Sequence, residues 1–216
     1  MNALALDTST EILSLCCRTD KGFFEITRRM DLCHDEEIIP LAHWLLEQAQ
    51  ITALELNLVV ASGGPGSFTG LRIGMATAQG FAVGAGCALV SVPGLDAYGY
   101  SACGHTVMLP VIDAKKKRFY AAFYRGGERL TPYMDASPEE IYAAAEKYAD
   151  IILTGPHAAL FHERAAPPEC THGTMRLDPD AHTGKAAVLL RLGSEAHLRG
   201  EGKEAGLMYL REPETT

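Results

Sequence analysis

Long hydrophobic runs, a basic leader and an excess of positive charge are all missing from the 216-residue sequence. No stretch approaches the roughly 20 apolar residues that a membrane-spanning helix needs. Asp7 interrupts the short apolar run at the N-terminus, so a signal peptide is not expected either. Lys and Arg number 19 against 27 Asp and Glu, a formal net charge of −8. Because phosphate binding needs a basic surface, this charge argues against a chain that wraps nucleic acid by itself.

Spacings typical of metal, redox and nucleophilic sites are also missing. The six cysteines contain no C-x-x-C, and Cys16 and Cys17 fall in an apolar strand pattern that predicts a place in the core. This cysteine usage is typical of a reducing cytoplasm, the compartment we expect. The eight histidines contain neither H-x-x-x-H nor H-E-x-x-H, so no metal site is predicted. Ser67 lies outside any G-x-S-x-G turn, and we predict no catalytic residue.

A glycine-rich segment at 59–85 is the most informative feature that is present. A buried-looking strand leads into a turn at 62–70, which opens a helix predicted from about Gly70 to Gly86. Each glycine inside a helix costs about 1 kcal/mol relative to alanine, and close approach of another backbone is the natural compensation. The contact could be with a ligand, the chain's own sheet or another protein. The glycines concerned are Gly70, Gly74, Gly80 and Gly84.

The turn itself has two interpretations. Successive backbone N–H groups before a helix N-terminus could cradle a phosphate. The residues that would form such a nucleotide loop are Asp7, Ser9, Gly64, Gly66, Ser67 and Thr69. The turn is not a Walker A loop, because Leu71 rather than lysine follows Gly70. The alternative is a sharp strand-to-helix connection that needs positive φ and a cap from Ser67 or Thr69.

The chain also repeats a unit. Residues 2–7 and 107–113 each predict a buried strand that ends in a carboxylate, Asp7 or Asp113, followed by a turn and a returning strand. Each carboxylate could bind Mg²⁺ or cap its own turn. The repeat predicts two lobes, at 1–104 and 105–216. The pattern resembles the actin/Hsp70/sugar-kinase superfamily, an α/β fold of two ribonuclease H-like lobes with mixed sheets, in which the two carboxylates face a cleft and handle phosphate and Mg²⁺.

Two predicted helices, at 34–50 and 70–86, carry more apolar and small positions than covering a sheet requires. Pro40 predicts that the first helix starts near Ile39 or is kinked. The spare surface indicates contact with another protein. The predicted contact residues are Ile38, Leu41, Leu45, Gly70, Ile73, Gly74, Thr77, Ala78 and Phe81. A bulky residue at Gly74 or Ala78 is therefore predicted to block association and leave the monomer folded.

Four segments resemble the TsaB (YeaZ) family of bacterial tRNA threonylcarbamoyladenosine (t6A) biosynthesis. They are Ala-Leu-Asp-Thr-Ser-Thr at 5–10, Gly-Pro-Gly-Ser-Phe-Thr-Gly-Leu-Arg-Ile-Gly at 64–74, Asp-Ala-Lys-Lys-Lys-Arg-Phe-Tyr at 113–120 and Tyr-Leu-Arg at 209–211. The run at 64–74 is the most specific. The basic run at 115–118 departs from the family pattern, which commonly includes an acidic residue there. It is either a solvated turn or a small anion-binding or RNA-facing patch.

The resemblance implies a non-catalytic scaffold that activates TsaD, the partner that transfers threonylcarbamoyl to N6 of the adenosine next to the anticodon. It implies a heterodimer through the helices at 34–50 and 70–86, a third partner in the ATPase TsaE, and self-association through the same region. It implies that tRNA is met only through the complex. The absence of an H-x-x-x-H pair agrees with a non-catalytic role. No cofactor is expected on this chain alone, and ATP or ADP at an interface shared with the partner is left open.

Two other functions stay open from the residues. A small-molecule kinase of the same superfamily would use Asp7, Asp113 and the glycine turn on ATP. A metallopeptidase would hold a stoichiometric metal, although nothing in the sequence could activate water for it.

Overall fold

The computed structural model describes residues 1–30, 34–100, 106–164, 174–181, 183–201 and 205–210. The strands are β1 (Ala3–Asp7), β2 (Ile12–Thr19), β3 (Gly22–Arg29), β4 (Leu58–Ser62), β5 (Ala88–Val92), β6 (Val107–Asp113), β7 (Phe119–Ala121), β8 (Tyr124–Arg125), β9 (Glu128–Arg129), β10 (Met134–Ala136), β11 (Asp150–Thr154) and β12 (Thr174–Leu177). The helices are α1 (His34–Gln48), α2 (Phe68–Ala85), α3 (Gly94–Gly99), α4 (Pro138–Ala145), α5 (Ala158–Arg164) and α6 (Ala186–Leu198), with a 3₁₀ helix at Ala53–Glu55.

The chain forms two units, each with its own sheet. The first unit is Met1–Ala97 with Gly184–Met208, and its strand order is β3-β2-β1-β4-β5. The second is Tyr98–Thr183 with Tyr209–Thr216, and its main strand order is β10-β7-β6-β11-β12. In both units the third strand of this order pairs antiparallel with the strand on one side and parallel with the strand on the other. The predicted duplication is confirmed, and the fold is the two-lobed actin-type α/β class.

The first sheet is covered on both faces by helices. Leu4, Leu6 and Val59 point to one face, where the buried sides of α1 and α2 pack on them. Ala3, Ala5 and Cys16 point to the other face, where Leu189 and Leu190 of α6 pack. Cys16 and Cys17 are both 0% exposed, which confirms their predicted place in the core. Burial raises the pKa of the two thiols to about 12 and about 11, so neither is a reactive thiolate near neutral pH.

The boundary between the units differs from the predicted division at residues 104 and 105. The segment Gly184–Met208 was assigned to the second lobe, but it belongs to the first unit. Close packing explains the difference, because Gly193 lies against Val60 and Gly184 lies against Ser14. The Ala186 N–H also donates to Ser14 Oγ, 3.2 Å away. Such contacts between distant parts of the chain leave no local signal in the sequence.

The helix limits show two further differences from expectation. α1 begins at His34, with Asp35, Glu36 and Glu37 in its first turn, and Pro40 lies inside it. The helix predicted at 34–50 therefore begins where expected. Of the two outcomes predicted from Pro40, the start near Ile39 is wrong, because three acidic residues at the positive end of the helix dipole favour an earlier start. α2 begins two residues before the predicted Gly70 and ends, as predicted, at Gly86, which adopts φ 64°.

The second unit has a separate core, in which aromatic rings carry much of the packing. Phe119 and Phe161 are both 0% exposed, and their rings meet edge to face with centroids 5.1 Å apart. Ser137 caps α4 with Pro138 at the first helical position, as its sequence indicates. Within the described residues, no helix is long and apolar enough to cross a membrane.

Replacing Gly193 by alanine tests the packing of α6 on the first sheet. The added Cβ atom would lie 2.6 Å from both Cγ atoms of Val60. Relieving that overlap is expected to lower the free energy of unfolding by about 1–3 kcal/mol, despite the better helix propensity of alanine. Urea unfolding followed by circular dichroism measures the change.

Gly84→Ala is the matched control, because nothing lies within 4 Å of a Cβ atom added to Gly84. The same exchange at this open helical site should raise the free energy of unfolding by about 0.5–1 kcal/mol. If both variants were stabilised alike, the close packing of α6 on β4 would be contradicted.

Candidate functional site

The glycine turn joins β4 to α2, and hydrogen bonds within the chain hold its backbone in place. The Gly63 N–H donates to Val92 O at 2.8 Å, and Gly64 adopts φ 98°. Ser67 caps α2, because its Oγ accepts a hydrogen bond from Gly70 N at 3.3 Å. The predicted cap is confirmed, and of the two candidates Ser67 supplies it. The strand-to-helix connection therefore accounts for this turn without a ligand.

Three glycines of the segment lie directly against the turn between β1 and β2. A Cβ atom on Gly66 would lie 2.2 Å from Ser9 O, and one on Gly70 would lie 2.1 Å from Thr8 O. At Gly74 it would lie 2.2 Å from Thr8 Oγ1. The same Thr8 hydroxyl donates to Gly70 O at 2.7 Å. These glycines are required by the chain's own packing, since any side chain there would collide with backbone or a buried hydroxyl.

The residues of the predicted nucleotide loop lie close together, but some of them are buried and one of the backbone donors is already hydrogen-bonded within the chain. Asp7 is 1% exposed and Ser9 is 0% exposed, while Ser67 and Thr69 face solvent. The Ser67 N–H, one of the groups that would meet a phosphate, donates to Ser9 O at 2.7 Å. Near Gly64, the Met208 N–H donates to Gly63 O at 2.7 Å. Phosphate binding by this loop stays a prediction. The hydrogen bond from Ser67 N–H to Ser9 O and the one from Met208 N–H to Gly63 O weigh against it.

Asp7 and Asp113 make the same local hydrogen bond in the two units. Asp7 Oδ1 accepts from Ser9 N at 2.9 Å, and Asp113 Oδ1 accepts from Lys115 N at 2.8 Å. Each carboxylate thus caps its own turn, as one of the two interpretations predicted. Burial raises the pKa of the Asp7 carboxyl, and hydrogen bonds from Ser9 offset part of the rise. Among the described residues, no three His, Cys, Asp or Glu side chains are placed to hold a metal ion.

The turn after Asp113 has an unusual backbone. Lys115, Lys116 and Lys117 adopt φ values of 61°, 53° and 60°, so three consecutive side chains lie in the left-handed region. This region costs a residue other than glycine roughly 1–2 kcal/mol and is normally visited singly. Arg118 closes the turn, and its N–H donates to Lys115 O at 3.0 Å. Residues Lys115–Arg118 are called the basic turn below.

Partner contact through the two helices stays a prediction, but burial contradicts most of the residues predicted to make it. Six of the nine predicted residues are buried in the chain's own core: Ile38, Leu41, Leu45, Gly70, Gly74 and Ala78. The other three, Ile73, Thr77 and Phe81, are half-buried. Apolar periodicity identifies the side of a helix that faces its own sheet, and this is the reason for the error. A bulky residue at Gly74 or Ala78 would therefore disrupt the fold rather than only an association.

Accessible apolar surface lies on the other side of the same helices and on the 3₁₀ helix at Ala53–Glu55. Ile39 is 52% exposed, Leu54 is 73% exposed and Val83 is 82% exposed. Nothing lies within 4 Å of a Cβ atom added to Gly80 or Gly84. A groove of about 460 Å³, here called the α1–α2 groove, is lined by Ile39, Ala53, Leu54, Ala76, Thr77, Gly80, Phe81, Gly84 and Ala85. Thr77 and Phe81 are the predicted contact residues that it includes.

Sequence reasoning missed Ile39, Leu54 and Val83 as surface residues. The signal for Ile39 and Val83 is only their position beside a core-facing residue of each helix, and Leu54 lies outside both helices, on the 3₁₀ helix. Gly80 and Gly84 were recognised as unusual, but spacing alone does not separate them from Gly70 and Gly74.

Comparison with known proteins adds independent information. A family model described as TsaD, tRNA N6-adenosine threonylcarbamoyltransferase, matches residues 28–172. The chain is 34% identical over 134 residues to the Escherichia coli tRNA threonylcarbamoyladenosine biosynthesis protein TsaB, covering 59% of this chain and 57% of that protein. It is 34% identical over 164 residues to the uncharacterized protein ML0378 of Mycobacterium leprae, covering 73% and 44% respectively. The matched region therefore spans about half the length of these two relatives.

A solved structure extends the likeness to almost the whole chain. YeaZ from Pseudomonas aeruginosa has a TM-score of 0.81 and 26% sequence identity, with 97% of this chain and 99% of that chain covered. Sequence motifs, relatives and three-dimensional structure agree, and the chain belongs to the TsaB (YeaZ) family.

Proposed function

We propose that this chain is the non-catalytic scaffold and activator subunit of the t6A synthase. In this proposal it docks TsaD, which transfers threonylcarbamoyl to N6 of the adenosine next to the anticodon. The name of the E. coli relative, a tRNA threonylcarbamoyladenosine biosynthesis protein, supports the pathway. The observation that supports docking is the α1–α2 groove, an apolar surface that the monomer leaves open.

The composition of the groove favours a helix of another protein. Gly80 and Gly84 lie one helical turn apart with open space above both, which lets a second backbone approach closely. Leu54, which lines the groove, is 73% exposed, and burying a side chain of this size contributes about 1.5–3 kcal/mol. A contiguous apolar surface with a backbone-accessible centre is typical of a protein contact. Self-association of the chain in the absence of TsaD would use the same groove, and TsaE would join the assembled pair.

The rest of the molecule supports a role without its own chemistry. A kinase would need Asp7 ionised and open to Mg²⁺, whereas burial raises the pKa of this carboxyl. Asp113 Oδ2 already lies 3.2 Å from Lys115 Nζ. The kinase is thus the weaker alternative, and it requires the isolated chain to bind Mg-ATP and turn it over. Isothermal titration with Mg-ATP distinguishes the two functions, and elemental analysis does so for the metallopeptidase.

Reconstitution of the modification tests the proposed function directly. TsaD, TsaE, a threonylcarbamoyl donor and unmodified tRNA are incubated with and without this chain, and t6A is measured by mass spectrometry of the nucleosides. We expect modification to depend on the chain, and the chain alone to produce none. Equal yields with and without it would contradict the proposal.

Gly80→Trp tests the docking surface. The indole would fill the space that a partner helix needs, so we expect the affinity for TsaD to fall by about 100-fold or more, the scale of a disrupted interface centre. The monomer should keep its stability, because nothing lies within 4 Å of a Cβ atom at this site. Titration calorimetry with TsaD and a thermal melt measure the two effects.

Gln79→Trp is the matched control on the same exposed helix, since Gln79 does not line the groove. It should bind TsaD as the unchanged chain does. If Gly80→Trp also bound normally, the groove would not be the docking site, even if modification still required the chain.

Asp7→Asn tests whether this carboxyl has a structural role alone. A carboxyl whose pKa is raised by folding stabilises the protein fully only below its unfolded pKa, and this stability is lost as pH rises through the folded pKa. Asparagine keeps an oxygen for the Ser9 N–H but does not ionise. The stability of the variant relative to the unchanged chain should therefore rise from about pH 4 upward.

Chemical unfolding at several pH values measures this difference, and t6A yield in the reconstituted system should stay unchanged. The structural role would be refuted if the free energies of unfolding of the two proteins changed with pH in parallel. It would also be refuted if the t6A yield fell sharply although the variant was folded and bound to TsaD.

A further inference from the structure

Residues 205–208, called the C-terminal strap below, lie against the strand ends and the turn that lead into α2. The Met208 N–H donates to Gly63 O at 2.7 Å, and the Gly206 N–H donates to Ser91 Oγ at 3.0 Å. Gly63 directly follows β4, and Ser91 lies in β5. A segment that is 115 residues from Ser91 in the sequence thus contacts two neighbouring strands of the first sheet where both strands end.

The strap has an apolar inner side and an open outer side. Ala205 and Leu207 alternate with the two residues that donate, and both pack on the core cluster that contains the buried side of α2. This alternation is that of an extended backbone, in which successive side chains point in opposite directions. Gly206 points the other way, and nothing lies within 4 Å of a Cβ atom added there. The inner side is therefore the part of the strap that supports the fold.

The strap also packs on the first turn of α2. A Cβ atom on Gly64 would lie 2.8 Å from Met208 O and 3.0 Å from Leu71 Cδ1. Leu71 belongs to the first turn of α2 and is 1% exposed. Gly64 adopts φ 98°, a conformation that glycine accepts without strain. The strap, the glycine turn and the start of α2 are thus packed against one another.

The strap can open without unfolding the sheet. Within the described residues the first sheet is ordered β3-β2-β1-β4-β5, and the strap adds no strand to it. A segment held outside the ladder by half-buried side chains opens at a lower free energy than a core strand does. Phe81 and Ala85, which line the α1–α2 groove, pack on the same cluster as Leu207. Opening of the strap therefore removes support from α2 on the core side of the groove.

We propose that the C-terminal strap clamps the start of α2 and thereby holds the α1–α2 groove in the shape that docks TsaD. The inference rests on the proposed function, which makes this groove the docking site. A helix that is already held in place loses less freedom on binding, so clamping raises the affinity. When the strap is open, the fraction of molecules ready to bind falls, and the apparent affinity falls with it. Leu207 is thus a positioning residue for docking that acts through α2.

Leu207→Asp tests the proposal, because closing the strap would bury a carboxylate against the apolar cluster. In the free chain we expect the backbone amides of residues 205–208 and 63–72 to exchange faster, measured by hydrogen–deuterium exchange and mass spectrometry. The affinity for TsaD, measured by titration calorimetry, should fall about tenfold, the loss for a strap closed in about one molecule in ten. If this variant does not fold, Leu207→Ala takes its place, with an expected loss of about threefold.

Two control variants separate clamping from charge and from stability. Gly206→Asp adds the same charge on the open side of the strap, so exchange should stay unchanged and the affinity for TsaD should stay within about twofold. Gly193→Ala lowers the free energy of unfolding at the opposite face of the sheet, where Gly193 packs on Val60. Since this site is distant from the strap, the affinity for TsaD should again stay within about twofold.

An unchanged or higher affinity of Leu207→Asp for TsaD would overturn the proposal, and so would unchanged amide exchange in the free chain. An equal loss from Gly206→Asp would also overturn it, because the strap would then contact TsaD directly. An equal loss from Gly193→Ala would do so as well, because lower stability would then suffice. Failure of the proposed function is distinct from these outcomes, since the unchanged chain would then not bind TsaD.

Discussion

The packing of α2 on the turn between β1 and β2 is the contact on which the first unit depends. Thr8 lies so close to Gly70 and Gly74 that neither position has room for a side chain. This contact fixes the rotation of α2 about its own axis, because a helix with two positions pressed against a backbone turn cannot roll. Once that side is inside, Ala76, Gly80 and Gly84 are turned away from the sheet. The α1–α2 groove is thus open because the opposite side of α2 packs against the turn between β1 and β2.

Glycine consequently occurs in α2 for two different physical reasons. At Gly70 and Gly74 a Cβ atom would meet Thr8 at 2.1–2.2 Å, whereas at Gly80 and Gly84 it would meet nothing. The sequence shows four glycines in one helix, each with an estimated helix-propensity cost of about 1 kcal/mol. It does not show which of them face Thr8 and which face open space. Only the position of Thr8, more than sixty residues away in the chain, separates them. The pattern therefore predicted a close contact correctly at Gly70 and Gly74 but assigned it to another protein, whereas the neighbour is Thr8 of the same chain.

Local features were predictable where one short segment determines the outcome. The limits of β6, the Ser67 cap and the glycine that ends α2 follow from residues within a few positions of each other. The duplication was also visible, because each unit repeats a strand that ends in aspartate. Assignments that depend on distant partners failed: α6 belongs to the first unit because Gly193 fits over Val60. The buried apolar stripe of α1 gave a strong periodic signal, and the exposed residues beside it gave none.

The two copies of the aspartate turn show how one local geometry can support different roles. In both copies the backbone N–H two residues after the aspartate donates to the aspartate carboxylate. In the first copy Thr8 is buried against glycines of α2 and Ser9 against Gly66 of the preceding turn, so any lysine there would have to be desolvated within the core. In the second copy Lys116 and Lys117 face solvent, and no such penalty applies. Burial therefore constrains the first turn to small polar residues, while exposure leaves the second turn free to acquire charge. In the proposed scaffold, the α1–α2 groove likewise lies where the fold itself makes the fewest demands on the side chains.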